Sequence, residues 1–88
     1  MAKAQQQREY RGIPGLLKDL RETAGLSQRD LAHQINRSQS WIFKSESGIR
    51  RVDITEFVIW SLGCGEQPEE AFKKVVAHVS TRHRVKGL

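Results

Sequence analysis

A chain of 88 residues has room for one domain with a single small core, and no attached sensor or catalytic domain is expected. Its 15 Lys and Arg against 10 Asp and Glu give a formal net charge of +5 and a pI near 9.9, which favours a polyanionic partner, nucleic acid first and an anionic membrane second. Cys64 is the only cysteine, so an intramolecular disulfide is excluded; no apolar run approaches the ~20 residues of a membrane span, and the N-terminus lacks a signal-peptide core, so a soluble cytoplasmic protein is expected.

Residues 1–12, with three consecutive glutamines, carry no periodic apolar pattern and read as a flexible basic arm. A first helix is predicted from about Pro14 to Ala24, with Leu16, Leu17, Leu20 and Ala24 on one face. Gly25 closes it, and Ser27 caps a second helix over QRDLAHQI, with Asp30 placed for a capping box and Leu31, Ala32 and Ile35 on the inward face. Asn36, able to take the left-handed conformation, ends that helix, and Ser38 caps a third over QSWIFKSES. Gly48 closes the third helix. Asp53, with Glu56 at the reciprocal position, starts a fourth over ITEFVIWSLGC, closed by Gly65. Pro68 opens a fifth, PEEAFKKVVAHV, in which Phe72, Val75, Val76 and Val79 recur at helical spacing despite the strand propensity of valine. The remaining residues, 80–88, read as a basic tail. The expected domain therefore spans residues 13–79, all-α, with five helices and no strand.

The third helix divides sharply. At about 100° per residue, Trp41, Ile42 and Ser45 fall on one side, and Gln39, Ser40, Phe43, Lys44 and Ser47 on the other. Two short helices joined by a tight turn, the second with a polar outward edge, are the parts of a reader of the DNA major groove. Gln pairs bidentately with adenine, Lys donates to guanine, and Ser adapts to either. Phe43 is the odd member: its ring either meets thymine methyls, or folds onto its own helix or meets a partner protein.

The segments LRETAGLSQRDLAHQI, SQSWIFKSESG, RRVDITEF and GEQPEEAF, in this order and spacing between Leu16 and Phe72, resemble the Cro/repressor-like helix-turn-helix family, also called XRE, to which lambda repressor belongs. The resemblance implies a compact five-helix lambda repressor-like domain with the helix-turn-helix at helices two and three. It further implies that Gln28 contacts a phosphate and braces Gln39, and that Gln39, Ser40 and Lys44 read bases. Ser47, Arg50 and Arg51 would then hold the sugar-phosphate backbone. Arg21 and Glu46 match positions at which many members carry an ion pair between helices one and three. Both also lie at the flank of their helix's apolar face, and the pair is expected to be structural.

This chain departs from the family pattern at several positions. Asn36 stands in place of the usual turn glycine, Arg37 in place of a small or apolar residue, where it is a candidate phosphate contact, and Ser45 in place of a larger inward side chain, with Trp41 expected to fill the space. On the fourth helix the family-like core positions are Ile54, Phe57, Trp60, Ser61 and Cys64, making Cys64 a small buried hydrophobe. Ile59 and Leu62 then occupy places usually charged. Together with Phe72 and Val76 they suggest a contact surface, most simply of a homodimer; alternatively, helix five covers them within one subunit.

No cofactor, metal site or enzymatic activity is expected. His33, His78 and His83 share no ligand spacing with Cys64, there is no phosphate-binding glycine loop, and the carboxylates Asp30, Asp53, Glu56, Glu69 and Glu70 are accounted for at helix starts. The sequence reading is a sequence-specific, double-stranded-DNA-binding repressor, dimeric on a palindromic operator, as in a phage regulator, a restriction-modification controller or an antitoxin. The alternative is a protein-interaction adaptor on the same fold, holding a second protein through Phe43, Ile59, Leu62 and helix five.

Overall fold

The computed structural model describes residues 7–83, 85 and 86. Five helices follow in order: α1 (Ile13–Thr23), α2 (Gln28–Ile35), α3 (Gln39–Glu46), α4 (Ile54–Gly63) and α5 (Pro68–Arg82). No strand occurs among the described residues.

Local chemistry sets most of the helix ends. Ser27 and Asp30 form a reciprocal capping box, each backbone N–H donating to the other's side-chain oxygen at 3.0 Å. The same bond from the Ser27 N–H holds the Asp30 carboxyl below its usual pKa. Asp53 and Glu56 repeat the arrangement at the start of α4, and Ser38 Oγ accepts the Trp41 N–H at 3.0 Å at the start of α3. Asn36 ends α2 at φ 57°, the one non-glycine residue of positive φ among those described.

Leu17, Leu31, Ile42 and Trp60 are fully enclosed at the centre of the core. Trp60 is the largest of them, and its indole N–H donates to the Leu17 carbonyl at 3.0 Å, tying α4 to α1 while satisfying a donor that burial would otherwise orphan. Ser45 and Ser61, also fully buried, donate to the carbonyls four residues earlier, those of Trp41 and Phe57. Around this centre α3 packs on α1 and α2, α4 on α2, and α5 on both α1 and α4.

Several expectations are corrected here. Residues 7–12 are not a free arm: they form turns, Tyr10 is buried, its hydroxyl accepts the Val52 N–H at 2.9 Å, and Glu9 pairs with His83 at 2.7 Å. Residues 1–6 lie outside the described residues. Helix α5 runs to Arg82, three residues into the expected tail. Ile54, expected in the core, is 81% exposed, because it sits in the first turn of α4 where no other helix covers it. Ile59, expected either on a contact surface or covered within one subunit, is half-buried against the core, and Ala24, expected on the apolar face of the first helix, is exposed. Cys64 is buried, and burial pushes its thiol up to about 11, which keeps it protonated and unreactive near neutrality.

Candidate nucleic-acid interface

Helix α3 is anchored along one flank by a buried charge cluster. Arg21 of α1 donates from Nε to Glu46 Oε2 at 2.6 Å and from Nη2 to Glu46 Oε1 at 2.9 Å, while its Nη1 donates to the Leu26 carbonyl at 2.8 Å. Gln28 of α2 adds a bond from Nε2 to Glu46 Oε1 at 3.0 Å. One carboxylate thereby joins α1, the turn after it, α2 and α3. The bond to Glu46 also raises the already high pKa of Arg21, so the guanidinium stays charged. Gln28 was expected to brace Gln39; its amide instead supports Glu46, because the cluster offers it a charged acceptor.

The opposite flank is built from Trp41, Arg37 and Arg50. The Trp41 ring rests against Trp60, with centroids 6.0 Å apart. The Arg50 guanidinium lies 4.4 Å and the Arg37 guanidinium 5.3 Å from the Trp41 ring centroid. Arg50 also makes a two-oxygen bond to Glu56, 2.9 and 3.2 Å, and donates to Ser45 Oγ at 3.3 Å. Arg50 thus reaches the small Ser45, while Trp41, expected to fill the space beside it, packs against the core and stays half exposed.

Between these flanks lies an exposed edge of Gln39, Ser40, Phe43, Lys44 and Ser47. Phe43 is 51% exposed and makes no ring contact with another aromatic residue among those described, so its ring stands outward beside the polar residues. Ser47 Oγ donates to the Phe43 carbonyl at 2.8 Å, which leaves its lone pairs facing solvent but commits its proton. Arg51 is exposed and stacks on the Tyr10 ring at 4.7 Å, a contact no local sequence signal could have revealed. Helix-terminal Gln39 and Ser40, both in the first turn of α3, are the side chains nearest the end that such helices present to base edges.

Two short helices with a left-handed turn between them, the second locked to the core and polar on its free edge, define a helix-turn-helix domain. The model of the helix-turn-helix domain family matches residues 15–70, and the chain belongs to that family. It is of the XRE type: a solved structure of an XRE-family like protein from Pseudomonas syringae pv. tomato str. DC3000 is similar at 35% identity over 78% of this chain and 84% of that one, with a TM-score of 0.72. Among curated proteins none matches. The chain is accordingly of the DNA-binding regulator kind. Among the described residues no helix is long and apolar enough to cross a membrane.

Proposed function

We propose that this protein is a sequence-specific, double-stranded-DNA-binding transcriptional regulator that inserts α3 into the major groove and acts as a repressor. The observation that carries the reading is the free polar edge of α3 on a helix otherwise immobilised by Arg21, Gln28 and Glu46. Gln39, Ser40 and Lys44 read bases, with Phe43 positioned for thymine methyls. Arg37, Arg50 and Arg51, together with Gln28 and Ser47, hold phosphates in this reading; such contacts set register and carry no sequence information. Occupying a groove excludes other proteins from it, and repression is the simplest consequence.

The reading extends to a homodimer on a palindromic operator. Leu62 is 60% exposed and shares a stripe of α4 with Ile54 and Val58 at spacings of four, and Phe72 and Val76 continue it across α5. An apolar stripe of this extent supports association with a second copy, which would place two recognition helices one DNA turn, roughly 34 Å, apart. Ile59, half-buried, no longer belongs to this surface.

Selection of bound duplexes from a random pool, followed by salt titration on the recovered sequence, tests both parts. A recovered palindrome and a log affinity falling linearly with log salt are expected. No duplex binding at low salt would leave the protein-interaction adaptor as the reading, with the α4–α5 stripe as its docking face.

A further inference from the structure

The Trp41 flank of α3 carries more than the two arginines taken singly. At helical spacing Trp41 and Lys44 are neighbours, three apart, so the indole sits where the reading edge meets the body of the domain. Arg37 precedes α3 and Arg50 follows it, yet both guanidiniums converge on this one ring, at 5.3 and 4.4 Å from its centroid. Neither is held there by chain connectivity. Arg37 makes only long bonds to the Ile35 and Asn36 carbonyls, 3.4 Å each, and Arg50 is oriented by Glu56. Trp41 is itself backed by Trp60, a fully buried side chain.

When a helix lies in the major groove, each flank faces one of the two phosphate ridges that bound it. The Glu46 flank holds the closed Arg21–Gln28–Glu46 cluster, with its carboxylate satisfied from both sides. The Trp41 flank instead presents two guanidiniums against one carboxylate, Glu56, a net positive charge with N–H groups to spare. We propose that Trp41 is a positioning residue for DNA: its ring holds Arg37 and Arg50 together as one preorganised clamp for the phosphate ridge on the Lys44 side. This rests on the DNA-binding reading above. A planar guanidinium stacked on an aromatic face keeps its edge N–H groups free for phosphate oxygens, so the cation–π contact and the phosphate contact do not compete. Holding both groups in place before binding removes the ordering cost that two free arginines would incur.

The test is a salt titration of duplex affinity for the full chain, Trp41→Leu, Trp41→Phe and Arg37→Ala, using a mixed-sequence duplex of about 20 base pairs, long enough for non-specific binding. Trp41→Leu should bind about tenfold more weakly, with a log–log salt slope smaller by about 0.9, the share of one neutralised phosphate. Trp41→Phe, which keeps a π face, should recover most of the slope; a stabilising role alone would not depend on the ring in this way. Arg37 is exposed, so Arg37→Ala folds whether or not Trp41→Leu does, and its slope should fall by the same amount. An unchanged slope in Arg37→Ala, or a slope in folded Trp41→Leu equal to that of the parent chain, overturns the clamp while leaving DNA binding intact. A parent chain that binds no duplex at low salt overturns both readings.

Discussion

Arg21 and Glu46, 25 residues apart, meet through two parallel hydrogen bonds of 2.6 and 2.9 Å with side chains only 9% and 5% exposed. The planar guanidinium and the carboxylate match in shape, and the third bond, to the Leu26 carbonyl, uses a further donor of the fork. Removing Arg21 would strand a buried carboxylate with only Gln28 as its partner. Arg21→Ala should therefore lower unfolding free energy by about 3–5 kcal/mol, read as a shift of the urea midpoint. Arg21→Lys should recover only part of this, since an ammonium cannot reproduce the fork.

Base-reading and phosphate-holding residues should separate by their response to sequence. Gln39→Ala is expected to cost roughly 1 to 3 kcal/mol on a selected site and little on random duplex. Arg51→Ala should weaken both alike and reduce the salt slope by about one phosphate. Equal losses for both variants on every sequence would mean that α3 does not read bases.

Gly63 departs from the usual effect of glycine in a helix. Replacing a helix-interior glycine by alanine ordinarily stabilises by about 0.8–1 kcal/mol. Here a Cβ would collide with Ile35 Cγ2 and lie 2.9 Å from Leu31 Cδ1, both buried residues of α2. Overpacking at such a site costs about 1–3 kcal/mol, so Gly63→Ala should be destabilising by thermal melt. A raised melting temperature would show that α2 and α4 move apart freely.

Stability should also depend on His78. Its Nε2 accepts the Gly12 N–H at 3.2 Å, which requires the neutral ring, and burial, with Arg82 adding to it, holds its pKa below 6.5. The unfolded chain takes up this proton at higher pH than the folded one. The contribution is therefore full above about pH 6.5 and is lost as pH falls through the lower folded value. Urea midpoints measured at descending pH should fall more steeply for the parent chain than for His78→Gln, whose amide oxygen cannot be protonated in this range. Parallel profiles would sink the assignment.

Leu62→Glu places a charge on the exposed α4 stripe without touching the core. Helicity by circular dichroism should be retained while sedimentation shifts from dimer to monomer. A parent chain that sediments as a monomer at every concentration would remove the dimer from the proposed function.

Much of the fold was legible in the sequence because its helix boundaries depend on neighbours a few residues away. Ser27 with Asp30, Asp53 with Glu56, and the left-handed Asn36 act within one turn, so residue type and spacing suffice to place them. Even the outward edge of α3 follows from periodicity, since Trp41, Ile42 and Ser45 fall on one side of the helix and Gln39, Ser40, Phe43, Lys44 and Ser47 on the other. Helix α4 is different. Ile54, Phe57, Val58, Ile59, Trp60 and Leu62 leave almost no polar face, so no period selects which residues are buried. The family resemblance set Trp60 inside and Leu62 outside, but only the packing of the neighbouring helices decided that Ile54 is left exposed. Distance in the chain hid the rest. Tyr10 looked like part of a polar arm until Val52, 42 residues on, supplied its hydrogen bond. Gln28 exchanged Gln39 for Glu46, and Arg50 was drawn to Glu56 and Trp41, because a charged or aromatic partner brought near by folding outcompetes water. Local capping and helical period set the elements in this sequence; which charges are tied down, and which are left to face DNA, was decided only when the helices packed.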